Sequence, residues 1–362
     1  MNPGRHKIYH HSVFVFALIL AVIGLFNLYS ATFVFEAGQA SPYFAAQLFY
    51  TLLGVVVMFA VSRLSLKHLY VWSPLFYAAS LLLLVLVLMV GARMHGSLSW
   101  LDLGFVRLQP AEFGKVGLVL ILSRYLSQLP SEKDLNLKTI IAPLILFLLP
   151  AALVIMQNDL GSSLFYGFIF GTVVFVHGVR LRLVFVVVVL LCLAGLLSYE
   201  FALKPYQKDR IVSFLNPEHD HRGSGYHLVQ SKIAVGSGKI FGRGYLKGQS
   251  HRLKFLPERH TDFVFPVLLE EWGFAGGALT LLLYFLFLVS GINIAAKSET
   301  RFGYFIAVGC VGLFFWHLVI NLGGVLGLIP LTGVTLPFFS YGGSSLLANW
   351  LAIGCLLSAA RR

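Results

Sequence analysis

Apolar runs of membrane-spanning length recur along the chain and restrict its fold more than any other feature. A helix needs about 20 apolar residues to cross the hydrocarbon core of a bilayer, and it pairs its own backbone groups there. Ten such runs lie at about 12–33, 43–62, 69–91, 110–127, 140–157, 160–179, 183–201, 263–295, 303–326 and 339–360. The sequence therefore predicts an all-α, polytopic integral membrane protein with about ten transmembrane helices.

The composition excludes several other classes of protein. Of the 362 residues, 58% are hydrophobic and only 12% are charged, whereas a soluble domain is about a quarter charged. The three cysteines lie in apolar runs, so a disulfide scaffold is not indicated. The net charge of +12 does not indicate nucleic acid, because Lys and Arg collect at the ends of membrane spans. We expect lipid phosphates as partners and no nucleic acid.

The distribution of Lys and Arg predicts which side each segment faces. With the N-terminus in the cytoplasm, the inner segments hold thirteen basic residues and the short outer segments hold two, Arg93 and Arg107. The segment 202–262 carries eleven more, but long loops cross the membrane largely regardless of charge. We predict one transmembrane domain over 1–362 with both termini cytoplasmic and 202–262 as a large extracytoplasmic loop between the seventh and eighth helices.

Three charged residues near the spans are candidates for function. Glu112 and Lys115 are three residues apart, so they share one face of the fourth span and can pair. They form either a structural ion pair or a polar floor beneath a substrate cleft. Asp159, in QNDLGSS at the outer junction of the fifth and sixth spans, is either a functional carboxylate or an ordinary turn or cap residue.

The long outer loop combines glycines with basic residues, among them Lys239, Arg243 and Lys247. Backbone amides freed by glycine, together with cations, can hold phosphate oxygens. The alternative is a flexible, solvated loop attracted to lipid headgroups. The neighbouring motif His219-Asp220-His221 is only weak evidence for a metal site.

The end of this loop, LPERHTDFVF, places Asp262 at the boundary between water and membrane. Asp262 is a helix N-cap, an acid at the positive end of the helix dipole, or a general base kept ionised by that dipole and Arg259. Glu258 is the competing carboxylate.

The last third, NLGGVLGLIPLTGVTLPFFSYGGSS, contains prolines and glycines at intervals that do not suit a continuous helix. Broken backbone at membrane depth is tolerated where it is buried in protein or lines a cavity. Such a cavity would suit a polar ligand carried on a lipid tail.

Taken together, the motifs LQPAEFGK, QNDLGSS, GSGYHLVQSKIAVGSG, FLPERHTDFVF and the glycine-rich last motif resemble those of the SEDS family (shape, elongation, division and sporulation), in the family's order. The resemblance runs from about residue 12 to the end. The segments WLDLGFVRLQP and QSKIAVGSG through LPERHTDF look more like the elongation branch than the division branch.

The resemblance implies a ten-helix peptidoglycan glycosyltransferase in the bacterial cytoplasmic membrane, with its active site on the extracytoplasmic face. It would polymerise lipid II into β-1,4-linked strands for cell elongation and rod shape, with a class B penicillin-binding protein and other elongation-complex proteins as partners. The family's essential loop aspartate falls on Asp262. We expect substrate contacts from Glu112, Lys115, Asp159, Arg243, Glu258, Arg259 and Ser340. A proline commonly precedes the aspartate that matches Asp159, where this chain has Asn158.

The residues and the resemblance lead to one hypothesis for the reaction. Asp262 would take the proton from the acceptor 4-hydroxyl, whose oxygen would displace the lipid diphosphate in one inverting step. Arg259, Arg243, Lys115 or a divalent cation, Mg²⁺ or Mn²⁺, would stabilise the leaving group; no cofactor is required by the sequence. The rival hypotheses are a lipid II flippase and a non-catalytic scaffold of the elongation complex.

Overall fold

Ten helices make up most of the part of the chain that the computed structural model describes, which is residues 3–33, 41–94, 97–102, 104, 107–130, 137–179, 208, 212–216, 224–248 and 260–361. They are α1 (Pro3–Thr32), α2 (Pro42–Ser62), α3 (Leu66–Val90), α4 (Pro110–Gln128), α5 (Leu137–Met156), α6 (Leu160–His177), α7 (Ser224–Ser237), α8 (Val264–Lys297), α9 (Arg301–Val325) and α10 (Gly343–Ala359). The predicted all-α membrane fold is confirmed.

Seven of these helices are long and apolar enough to cross a membrane, namely α1, α2, α3, α5, α6, α8 and α9. The predicted spans at 110–127 and 339–360 correspond to α4 and to the shorter α10. Helix α10 begins at Gly343 rather than 339 because residues 337–340 form a turn. The predicted span at 183–201 and much of the loop 202–262 lie outside the described residues.

A small antiparallel sheet connects α3 to α4, where no strand was predicted. It consists of β1 (Ala92–Met94), β2 (Ser97–Asp102) and β3 (Arg107–Leu108), in that order. Trp100 pairs with Ala92, and Leu101 pairs with Leu108. The sheet brings Leu108 directly to the start of α4 and so fixes where that helix begins.

Helix α9 lies at the centre of the bundle and is the most buried of the seven spans. It packs against α4, α6, α8 and α10. A Cβ on Gly309 would lie 2.7 Å from Cγ1 of Val119 in α4, and one on Gly312 would lie 2.7 Å from Cγ2 of Thr172 in α6. Small residues therefore let α9 approach two neighbours closely, as is usual between membrane helices.

Helix α8 is broken at Gly273, which has φ 66° and ψ −168°. The residues after α7 supply the hydrogen bonds that the break removes. The amides of Arg243 and Gly244 donate to the carbonyls of Glu270 and Glu271, at 3.0 and 2.9 Å. In return, the amides of Phe274 and Ala275 donate to the carbonyls of residues 239 and 240. The short part of α8 before the break is thus joined to residues 239–244.

The backbone between α9 and α10 is not helical, as the glycines and prolines of the last motif predicted. Residues 330–336 run without helix or strand and are followed by a turn at 337–340. Gly333, with φ 70°, lies near the middle of this segment. We call residues 330–336 the extended segment; it forms one wall of the site described next.

Candidate active site

Asp262 lies in the turn 260–263 that leads into α8, and it is half-buried. The N-cap of α8 is Phe263, whose side chain makes no capping hydrogen bond. The N-cap position predicted for Asp262 is thus occupied by the next residue, while Asp262 still lies at the positive end of α8. The carboxylate faces the extended segment, since a Cβ on Gly333 would lie 3.5 Å from its Oδ2.

The turn that carries Asp262 is held at both ends. The amide of Tyr341 donates to the carbonyl of His260 at 2.8 Å, and the His260 ring stacks on Tyr43 with centroids 4.5 Å apart. On the other side, Phe263 packs into a small buried cluster with Ala234 of α7 and Val325 of α9. Helices α2, α7 and α9 thus fix the position of the carboxylate.

Asp159 is the N-cap of α6. Its carboxylate accepts hydrogen bonds from the Ser162 amide at 2.9 Å, the Ser162 hydroxyl at 2.8 Å and the Gln109 side chain at 3.2 Å. The same helix end touches the extended segment, because a Cβ on Gly161 would lie 2.8 Å from the carbonyl oxygen of Thr332. The structure therefore places Asp159 and Asp262 beside the same short segment, with Asp159 serving as a cap.

Asn158, which precedes Asp159, stands where a proline is common in the family that the sequence resembles. Asn158 has φ 62°, and its amide donates to the carbonyl of Ile155 at 2.9 Å. A proline has φ near −65° and no amide hydrogen, so it could not adopt this conformation. The backbone that leads into α6 here requires a residue that tolerates the left-handed region, as asparagine does.

Glu112 and Lys115 form a buried ion pair, with Nζ of Lys115 2.8 Å from Oε1 of Glu112. The ammonium of Lys115 also donates to Nε2 of His317 at 3.1 Å and lies 4.8 Å from the centre of the Phe165 ring. Nδ1 of His317 lies 2.8 Å from the carbonyl of Leu313, so Nδ1 carries the proton and Nε2 accepts. Lys115 is only 1% exposed. The predicted pair is confirmed, and its burial makes it a support of the site; its contact with substrate stays a prediction.

Ser340 is buried beside the site, and its hydroxyl is used internally. Its Oγ accepts a hydrogen bond from the Leu336 amide at 2.8 Å, and its carbonyl accepts one from the Gln47 side chain at 3.0 Å. These bonds close the turn after the extended segment and tie it to α2. They are structural contacts, and the contact of Ser340 with substrate stays a prediction.

Much of the glycine-rich segment 238–248 uses its backbone amides for hydrogen bonds within the protein. The amide of Gly242 donates to Gly238, those of Arg243 and Gly244 donate to α8, and that of Lys247 donates to Gly244. The amides of Leu246 and Gly248 donate to the buried carboxylate of Glu271. The basic side chains of the predicted phosphate site in this segment, Lys239, Arg243 and Lys247, are exposed, and their contact with a phosphate stays a prediction.

The same segment is also tied to α1. The hydroxyl of Tyr245 donates to the carbonyl of Phe26 at 3.0 Å, and burial raises the pKa of Tyr245 to about 12. Ser30 of α1 donates its hydroxyl to Glu271. The predicted solvated, flexible loop is therefore, over 238–248, a packed element.

Several predicted residues lie outside the described part of the chain, namely Glu258, Arg259, His219, Asp220 and His221. Among the described residues, no three His, Cys, Asp or Glu side chains are placed to hold a metal ion. A divalent cation bound by one carboxylate and substrate phosphates is compatible with this arrangement, because Mg²⁺ commonly takes few protein ligands.

Two residues of the site, His317 and Asn321, were not singled out from the sequence. Both lie on α9, four residues apart and so on one face, where His317 contacts the ion pair and Asn321 contacts the backbone of Asp262. A histidine within a predicted span is by itself a signal of function. Asn321 gives no such signal, because its partners become its neighbours only when the bundle folds.

Comparison with known proteins agrees with this architecture. The family described as Cell cycle protein, named for FtsW, RodA and SpoVE, matches residues 10–362. The chain is 36% identical to the peptidoglycan glycosyltransferase MrdB of Escherichia coli (strain K12), covering 99% of this chain and 96% of that protein.

Solved structures give the same result. One, described as "Structural coordination of polymerization and crosslinking by a peptidoglycan synthase complex", matches with a TM-score of 0.82 and 33% identity, over 96% of each chain. The rod shape determining protein RodA of Thermus thermophilus matches with a TM-score of 0.71 and 31% identity, over 96% of this chain and 95% of that one. The chain therefore belongs to the FtsW/RodA/SpoVE family, the SEDS family.

Proposed function

We propose that this protein, a peptidoglycan glycosyltransferase, polymerises lipid II with Asp262 as its general base. The observation that carries the proposal is the position of the Asp262 carboxylate. It lies in a turn fixed by three helices, directly before the N-cap of α8, and it faces Gly333 of the extended segment. A carboxylate held in this way is placed to accept a proton from a bound hydroxyl.

The reaction is an inverting glycosyl transfer. Asp262 removes the proton from the 4-hydroxyl of the acceptor sugar, and that oxygen forms a bond to the anomeric carbon of the growing strand. The bond between this carbon and the lipid diphosphate breaks, and the diphosphate leaves with the electron pair. Because the donor is α-linked, one displacement gives the β-1,4 product without a covalent enzyme intermediate.

The developing charge on the diphosphate needs cations that can reach it. Arg243 is exposed on the segment joined to α8, and Arg259 directly precedes the turn that carries Asp262 in sequence. Lys115 is the weakest of the three candidates, because its ammonium is buried between Glu112 and His317. A divalent cation held by Asp262 and the diphosphate would neutralise the same charge.

We propose a class B penicillin-binding protein as the partner, in a complex for cell elongation. The solved complex described as coordinating polymerization and crosslinking supports a partner of this kind, and the likeness to RodA supports the role in elongation. The excess of Lys and Arg in the inner segments supports cytoplasmic termini and an extracytoplasmic site.

The buried cluster of Glu112, Lys115 and His317 favours one competing function, the transport of lipid II across the membrane. Ionisable groups inside a bundle are typical of transport pathways. Transport, however, requires no carboxylate in the outer turn, and a scaffold would tolerate its neutralisation. Asp262 therefore distinguishes the three functions.

The test is the synthesis of glycan strands from purified lipid II by the protein in complex with its cognate penicillin-binding protein. Asp262→Asn should lower the polymerisation rate by about 100-fold or more, because it removes the base without changing the size of the side chain. The matched control is Asp102→Asn, which neutralises an exposed carboxylate of β2 and should retain activity. Equal rates for Asp262→Asn and wild type would contradict the role of Asp262. No polymer from the intact wild-type complex would favour transport.

A further inference from the structure

The exposure of α8 changes at its break at Gly273. Residues 263–271 are all buried, so the protein itself covers this part of the chain. Exposed apolar side chains begin at Phe274, which is 70% exposed, and continue along the helix to residues such as Phe285, which is 60% exposed. Residues 274–297, at about 1.5 Å each, are about 36 Å long and can cross about 30 Å of hydrocarbon alone. The lipid-facing surface of α8 therefore begins at the break.

The loop segment that is bonded to the break exposes two more apolar side chains at the same level. The amides of Phe274 and Ala275 donate to the carbonyls of residues 239 and 240, at 2.8 and 2.9 Å. The side chains of Ile240 and Phe241, which we call the apolar pair, are 61% and 83% exposed. No large apolar side chain in the described part of the chain is more exposed than Phe241. Because the pair adjoins the start of the lipid-facing surface of α8, it continues that surface.

Two lysines of the same segment lie near the apolar pair, and we call them the flanking lysines. Lys239 directly precedes Ile240, and both Lys239 and Lys247 are exposed. The stem of Lys247 lies against the backbone of the segment, since a Cβ on Gly244 would be 3.4 Å from its Cδ. A lysine can keep its carbon stem on apolar surface while its ammonium reaches the lipid phosphates. Apolar side chains beside cations fit the boundary between lipid headgroups and acyl chains.

We propose that residues 239–247 form a membrane anchor on the side of the membrane where the Asp262 turn lies. The apolar pair enters the apolar edge of that leaflet, and the flanking lysines bind the phosphates of its lipids. Arg243 stays the candidate for the substrate diphosphate, and the anchor does not depend on the role of Asp262. Because the segment is bonded to both sides of the break, the anchor holds the membrane end of residues 264–272, whose other end follows the Asp262 turn.

The first experiment measures the depth of position 241 in the full-length protein, reconstituted in phosphatidylcholine vesicles. A nitroxide is attached to Phe241→Cys, to Phe285→Cys as the lipid control and to Asp102→Cys as the water control, each with Cys192→Ser. Cys310 and Cys355 are buried, and protein with Cys192→Ser alone gives the background. The three labelled side chains are exposed, so the fold should be kept, which the thermal midpoint checks.

Collision with oxygen, which concentrates in lipid, is compared with collision with a water-soluble nickel chelate. The ratio of oxygen to nickel collisions at 241 should exceed that at 102 and approach that at 285. A ratio at 241 equal to that at 102 would overturn the anchor. Protection of 241 from nickel only when the penicillin-binding protein is bound would assign the apolar pair to that partner instead, and would also overturn it.

The second experiment tests the flanking lysines. Addition of phosphatidylglycerol to the vesicles should raise the thermal midpoint of the wild type, because anionic lipids attract cations near the membrane surface. Lys239→Gln/Lys247→Gln should lose part of this gain, while its midpoint in phosphatidylcholine alone stays close to that of the wild type. An equal gain in the variant and the wild type would contradict the contact of these lysines with lipid phosphates.

Discussion

Gly333 is the residue whose backbone most directly limits the site. Its φ of 70° belongs to the left-handed region, which costs a residue with a side chain about 1 kcal/mol or more. A methyl group there would also lie 3.5 Å from Oδ2 of Asp262. Glycine therefore both permits the turn of the extended segment and leaves room in front of the carboxylate.

We predict that Gly333→Ala lowers the polymerisation rate by about tenfold or more, because relief of the backbone strain moves the extended segment relative to the base. The measurement is the rate of strand synthesis from lipid II in the complex with the penicillin-binding protein. The control is Gly171→Ala, since Gly171 lies inside α6 and a Cβ added there would meet no atom within 4 Å. Equal activity in the two variants would show that the conformation of Gly333 is not needed.

The buried ion pair shows what a residue-scale pattern can and cannot predict. The spacing of Glu112 and Lys115 predicted their pairing, because residues three apart on a helix are neighbours. The third residue of this buried cluster, His317, is 202 residues from Lys115 in sequence. Its contact depends on the close packing of α9 against α4, which no local pattern encodes. The same holds for Asn321, whose side chain donates to the carbonyls of Asp262 and Val334.

At the scale of elements, α8 is the helix that differs most from its prediction. The sequence predicted one continuous run at 263–295, and the structure has Val264–Lys297 with a break at Gly273. An isolated glycine in an apolar run does not by itself indicate a break. The break depends on residues 239–244, which pair with the amides and carbonyls on both sides of it. It could not be predicted without knowing where the loop packs.

This packing requires a glycine at position 242. Its φ is 78°, and a Cβ there would lie 2.1 Å from the carbonyl oxygen of Glu271. We predict that Gly242→Ala separates the loop from α8 and destabilises the protein by about 1–3 kcal/mol, as overpacking does. The measurement is the thermal unfolding midpoint of the purified protein. Gly236→Ala is the control, because Gly236 lies in α7 and a Cβ added there would meet no atom within 4 Å. A midpoint for Gly242→Ala equal to that of the control would mean that the loop is not tightly held.

For the whole molecule, hydropathy predicted most of the architecture. The apolar runs matched α2 to α6 and α8 to α10 within a few residues, and the first run matched the membrane-spanning part of α1, His11–Thr32, because the bilayer sets both the length and the apolar character of a span. Hydropathy did not predict the small sheet before α4 or the packing of 238–248. Both lie outside the spans. The residues that form them are no more polar or apolar than those of an ordinary loop, so hydropathy does not distinguish them.

The orientation of the whole bundle is the remaining prediction, and it decides whether Asp262 can meet a substrate outside the cell. The thirteen basic residues of the inner segments predict that Lys67 lies in the cytoplasm and Lys247 outside, and both residues are exposed. In intact cells, a maleimide that cannot cross the membrane should label Lys247→Cys, whereas Lys67→Cys should react only after the cells are opened. Cys310 and Cys355 are buried, and labelling of the parent protein corrects for any reaction of Cys192. The reverse pattern would place the Asp262 turn in the cytoplasm. It would contradict the orientation predicted from the charge distribution, the proposed polymerisation outside the cell and the docking of an extracytoplasmic partner.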